Sequence, residues 1–144
     1  MAVFRKETTI QKSPEEVFAY ISDMARHGEW GGHELEVTKT SDGPIGVGST
    51  FSSLAKQFGT QREQQTVTEY LPGRRFVFEA TGALGLARHT FELAPSADGG
   101  TNISKSMELV KPTFLARMTT LKIRSDQPKA MESDLANIKK KLEG

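Results

Sequence analysis

RFVFEATGALGLARHTFEL, residues 75–93, decides the fold. Two runs rich in aromatic and β-branched residues flank Gly82-Ala83-Leu84-Gly85, so the stretch reads as an antiparallel hairpin. A two-residue turn at Ala83-Leu84 sets Phe78 opposite His89 and Phe76 opposite Phe91. Side chains alternate along a strand, so both pairs share one face with Ala80 and Leu93, while Glu79, Arg88 and Glu92 take the other. An apolar face backed by a charged one means that the hairpin buries one side only.

The same parity carries outward. In NISKSMELV (102–110) it puts Ile103, Lys105, Met107 and Leu109 on the buried face. Upstream, VFRKETTIQ (3–11), LEVTKT (35–40), VGSTFSSLAK (47–56) and QQTVTEYL (64–71) also read as strands. Turn-forming clusters at Asp42-Gly43-Pro44, Gly59, Pro72-Gly73 and Asp98-Gly99-Gly100 separate the strands. Short connections make successive strands antiparallel neighbours. The run at 60–71 is polar on both faces through Gln61, Arg62, Glu63, Gln64 and Gln65, as expected for the solvated outer end of a long strand, with pocket-lining by Glu69 or Tyr70 as the alternative.

Helical spacing occurs only near the two ends of the chain. Ser13, Pro14 and Glu16 form a capping-box signature, and Val17, Ile21 and Met24 recur at i, i+4, i+7. That short helix is expected to loosen between Asp23 and Gly28 and to lead through Trp30, Gly31 and Gly32 into the strands. At the other end, Met131, Leu135, Ile138 and Leu142 fall at i, i+4, i+7, i+11, opposite a solvated face with Lys139, Lys140 and Glu143. Phe114, Leu115, Met118 and Leu121 are also compatible with helix. Pro128 predicts a break or kink at Gln127, giving two helical pieces or one interrupted helix. Strands bracketed by terminal helices define an α+β fold, its sheet cupped beneath the helices.

Composition narrows the function. A length of 144 residues suits one domain, 1–144. A net charge of +1 offers no strong field for nucleic acid, and no apolar run reaches the ~18 residues of a membrane span. Without cysteine there is no disulfide, thiolate nucleophile or Cys-based zinc site. His27 and His33 match no familiar metal-ligand spacing, and no G-x-S-x-G or phosphate loop occurs. Neither metal nor cofactor is expected. The N-terminus lacks a signal-peptide pattern, so a cytoplasmic location is expected.

Several phrases resemble the START-like helix-grip (SRPBCC) superfamily, particularly its polyketide cyclase/dehydrase and lipid-transport branch. They are SPEEVFAYISDMARHGEW (13–30), GPIGVGSTF (43–51), TVTEYLPGRRFVFEA (66–80), GGTNISKSMEL (99–109) and DLANIKKKLEG (134–144). The resemblance implies an antiparallel, typically seven-stranded curved sheet gripping a long C-terminal helix around an apolar cavity. It does not fix chemistry, because that fold hosts carriers, cyclases and interaction domains.

The expected function is binding of a hydrophobic small molecule (a lipid, isoprenoid or polyketide-like compound) between the sheet and the C-terminal helix. Trp30, Phe51, Phe76, Phe78, Phe91, Met107, Phe114 and Met118 are the candidate walls, with His89 and Lys105 orienting the guest. Trp30 reads equally well as a lid over the core. Lys105 alternatively snorkels out at the sheet edge, and His89 alternatively bonds a backbone carbonyl within the core. Two rival readings are a cyclase/dehydratase using His89 as base and a chaperone-activator-like interaction domain with a filled interior. Nothing in the sequence sets the oligomeric state.

Overall fold

A computed structural model describes residues 3–31, 34–56 and 60–144. His33, Gly32 and the expected turn at Gly59 lie outside the described residues. The strands are β1 (Val3–Ile10), β2 (Glu34–Lys39), β3 (Thr50–Lys56), β4 (Thr60–Leu71), β5 (Arg75–Gly82), β6 (Gly85–Pro95) and β7 (Thr101–Pro112). The helices are α1 (Pro14–Ile21), α2 (Phe114–Met118) and α3 (Thr120–Glu143), with a 3-10 turn at Met24–Glu29. The strands form one antiparallel sheet in the order β1-β7-β6-β5-β4-β3-β2. An open curved sheet beneath a long C-terminal helix is the α+β helix-grip architecture that the sequence pattern and the resemblance imply.

Register follows the hairpin parity. Phe78 pairs with His89 and Phe76 with Phe91, and β7 continues the face with Lys105 opposite Phe91 and Met107 opposite His89. A bulge at Thr68 resets β4, so that Val67 and Tyr70 both stay on the inner side, opposite Phe78 and Phe76.

Ser13 opens α1 as its cap: its hydroxyl oxygen accepts the Glu16 N–H at 3.3 Å. The Glu16 carboxylate meets the Ser13 hydroxyl at 3.5 Å, replacing the usual bond to the cap's backbone N–H. α1 buries Val17, Phe18, Tyr20 and Ile21 against one end of the cup.

The C-terminal segment departs from expectation in two respects. Pro128 lies within a continuous α3, and the break falls at Thr119, between α2 and α3. Proline removes the donor to the Arg124 carbonyl. Arg124 and Ser125 are exposed, so solvent on that side satisfies the carbonyl and the helix continues. Lys139 also does more than face water. Its ammonium donates to the Thr9 carbonyl (2.6 Å) and to Glu143 (2.8 Å), whose carboxylate accepts the Gln11 N–H (2.8 Å). These bonds fasten the end of α3 to β1.

Candidate functional site

The inner face divides into a packed half and a hollow half. Phe76 and Phe91 are fully buried, Phe51, Phe78 and Trp30 nearly so, and all five join α1, Ile138 and Leu135 in one cluster. Their rings meet edge-on or stacked: Trp30 on Phe91 at 5.8 Å, Phe76 on Phe91 at 6.5 Å, Phe18 on Phe76 at 6.2 Å. Such contacts fill space, so these rings are core and do not line the cavity. The expectation that they wall a pocket is corrected for Trp30, Phe51, Phe76, Phe78 and Phe91. Phe114 and Met118 leave the pocket for the opposite reason. They project from the outer side of α2, 76% and 70% exposed, because Ala116 is the residue that α2 turns inward.

The hollow half contains a cavity of ≈ 400 Å³. The sheet contributes Glu63, Ala80, Gly82, Leu84, Gly85, Ala87, His89, Met107 and Leu109, and α3 contributes Lys122, Ile123, Asp126, Gln127 and Ala130. Of the candidate residues, His89 and Met107 line it. The His89 ring stacks on Phe78 at 4.8 Å and 11°, at the boundary with the packed half. A hollow of similar volume (≈ 410 Å³) between β1 and α3 is bordered by Lys6, Glu7, Glu132 and Lys139, a charged margin ill suited to an apolar guest.

A buried ion pair separates the two halves. Lys105 lies between Ile103 and Met107 along β7, and Asp134 between Met131 and Ile138 along α3. Their charged atoms are 3.2 Å apart, with side chains 4% and 5% exposed. The Lys105 ammonium also sits 5.4 Å from the ring centroids of both Trp30 and Phe91. Lys105 is therefore neither at the sheet edge nor among the cavity's lining residues. It forms part of the partition.

The polar run of β4 that reads as solvated turns two residues inward: Gln65, 2% exposed and donating to the Ser53 hydroxyl at 2.8 Å, and Glu63. Inward parity from Gln65 and Val67 already points it into the cup, and Gly82 on β5 leaves room for it. A Cβ on Gly82 would come within 2.8 Å of Glu63 Cγ. Burial raises the Glu63 carboxyl above the usual carboxylate range. A carboxyl with a raised value binds its proton more tightly folded than unfolded, so ionising it subtracts stability as pH rises through the folded value. Glu63→Gln is expected to melt above wild type at pH 7–8, the gain vanishing as pH falls below the ordinary carboxylate range. A gain that persists unchanged at low pH would show that charge is not its cause.

His27, weighed as a metal ligand, is a core histidine. It is 2% exposed, with Nε2 2.8 Å from the Ile21 carbonyl oxygen and its ring 4.5 Å from that of Trp30. On α3 the exposed Lys122–Asp126 pair, at 2.8 Å, borders the cavity. Asp134 and the inward residues of α3 were legible only from the helical stripe they share with Met131 and Ile138.

Comparison with known proteins supports the fold. A family model described as polyketide cyclase / dehydrase and lipid transport matches residues 1–143. The fold is similar to TTHA0849 from Thermus thermophilus, at 16% identity and TM-score 0.77, covering 98% of this chain and 97% of that one. It is similar to a START superfamily protein from Mycobacterium smegmatis, at 13% identity and TM-score 0.73, covering 97% and 98%. The Aha1 dimer from Colwellia psychrerythraea matches at 16% identity and TM-score 0.69, covering 99% and 96%. No curated protein matches the sequence.

Proposed function

Because the chain belongs to the polyketide cyclase/dehydrase and lipid-transport family, we propose that it binds one hydrophobic small molecule in the cavity between the sheet and α3. The ≈ 400 Å³ hollow carries this reading. It falls within the ~300–1,000 Å³ of ordinary ligand pockets, and its apolar wall distinguishes it from the equally large, charged-margined hollow between β1 and α3. Ala80, Leu84, Ala87, Met107, Leu109 and Ile123 give an apolar wall. Glu63, His89 and Gln127, with the Lys122–Asp126 pair on α3, are the polar groups that would fix a guest's orientation. An amphiphile with a mainly hydrocarbon body and one polar group fits this distribution, as in a lipid, an isoprenoid or a polyketide-like compound. Apolar burial at ~25 cal/mol per Å² supplies most of the affinity.

Ala130 lies on the α3 side of the cavity and is only half-buried, so a larger side chain there has room to enter the hollow. Ala130→Trp is expected to fold, to lose any apolar molecule that native mass spectrometry finds bound to freshly purified wild type, and to bind Nile red at least about tenfold more weakly. Undiminished dye binding by a folded Ala130→Trp variant would place the ligand elsewhere.

A further inference from the structure

Residues 109–125 contain Lys111, Arg117, Lys122 and Arg124 and no Asp or Glu, although the chain as a whole carries only +1. In the same segment Phe114, Met118 and Leu121 are 76%, 70% and 83% exposed. Phe114 and Met118 share a face of α2 at i, i+4, and Leu121 stands in the first turn of α3 just past the break at Thr119, while Ala116 and Ile123 are buried. Folding leaves most of this apolar area in water. Three large apolar side chains grouped at such exposure mark a surface that something else covers.

We propose that the α2–α3 corner docks the protein on an anionic lipid membrane. Phe114, Met118 and Leu121 enter the boundary between headgroups and acyl chains, and Lys111, Arg117 and Arg124 meet the lipid phosphates and carboxylates. Charge selects this occupant. Lys111, Arg117 and Arg124 have no ion-pair partner among the described residues, whereas Lys122 pairs with Asp126. A second copy apposed on the corner would bring like charges together, and a bilayer with anionic headgroups brings opposite ones. Among the described residues no helix is long and apolar enough to cross a membrane, so the contact stays in the interfacial layer. The corner also adjoins the cavity. Leu109 and Ile123 line both the main cavity and a ≈ 160 Å³ hollow beside Ala116 and Arg117. Docking itself does not require a guest.

The test is flotation with phosphatidylcholine vesicles, with and without about 30% phosphatidylserine, at low salt. Wild type is expected to float only with the anionic vesicles and to release them as salt rises. Phe114→Ser with Leu121→Ser is expected to weaken binding at least about tenfold. Arg117→Gln with Arg124→Gln is expected to weaken it about fivefold per charge removed. All four positions are exposed, so both double variants keep the wild-type melting temperature. Ala130→Trp, with its cavity blocked, still floats, which separates docking from ligand binding. Four results would overturn the proposal: no binding of wild type to anionic vesicles, unchanged binding by the Phe114/Leu121 variant, loss of flotation by Ala130→Trp, or a wild-type dimer in sedimentation velocity that the Phe114/Leu121 variant dissolves.

Discussion

Breaking the buried ion pair from either side is expected to lower folding stability by about 3–5 kcal/mol, measured as a fall in the urea midpoint at unchanged slope. The cost arises from the partner left behind. With side chains 4% and 5% exposed, neither Lys105 nor Asp134 can recover its hydration without opening the sheet–helix contact. The two single variants differ. Asp134→Ala leaves an ammonium that still faces the rings of Trp30 and Phe91, each 5.4 Å away, and this attraction offsets roughly 0.5–2 kcal/mol. Lys105→Met leaves a carboxylate on α3 without its cation, so it is expected to be the costlier of the two. Combining Lys105→Met with Asp134→Leu removes both charges and restores apolar contact between the two clusters. That double variant is expected to unfold within about 1 kcal/mol of wild type, or above it. If Asp134→Ala stays within about 1 kcal/mol of wild type, the pair does not hold the two halves together.

This pair also shows where sequence reading succeeds and where it stops. Parity from a two-residue turn fixed the inner face of β5, β6 and β7 down to the pairing of Phe78 with His89. It did so because a register slip of one residue would have put glutamates into the core. The same parity sent Lys105 inward, but its partner lies on a helix 29 residues later, and no local pattern says which helical residue faces which strand. Asp134 stands in the apolar stripe of α3, three residues from Met131 and four from Ile138. A charge inside such a stripe, combined with an inward lysine lacking a partner, was the available signal. The division of the interior into packed and hollow halves was not legible at all. Phenylalanines at inward positions read alike whether they fill a core or wall a cavity, and the packing of α1, Trp30, Leu135 and Ile138 on them decides that they fill it. Glu63 was missed because a polar strand end resembles a solvated one, whereas the compensating Gly82 lies on the neighbouring strand.

The hairpin turn that made the fold readable is also where a single methyl group is expected to do the most local damage. Gly85 has φ +103°, and a Cβ there would lie 2.0 Å from the Lys111 carbonyl oxygen and 3.0 Å from the Thr113 nitrogen. Both obstacles are backbone atoms of the β7 end, so no rotamer change relieves them. That backbone is also fastened to the turn: Thr113 donates through its N–H to the Leu84 carbonyl (3.1 Å) and through its hydroxyl to the Ala83 carbonyl (2.8 Å), while its oxygen caps α2 by accepting the Ala116 N–H (3.3 Å). Moving Lys111 away from a new methyl group therefore pulls on the turn, on the last pairing of β6 with β7 and on the first turn of α2 together. Conformational strain of about 1–3 kcal/mol adds to an overpacking cost of similar size, so Gly85→Ala is expected to lose roughly 2–6 kcal/mol. At about 2–4 °C per kcal/mol for a chain near this length, the loss is visible as a clear fall in melting temperature. Gly48→Ala is the control: its φ is +91° but nothing lies within 4 Å of the new Cβ, so it carries strain alone. The difference between the two variants isolates the clash with β7. If Gly85→Ala melts with Gly48→Ala, the turn yields without disturbing its neighbours. A larger fall, accompanied by weaker Nile red binding, would show that the closure of this turn on Thr113 also shapes the cavity that Leu84 and Gly85 line.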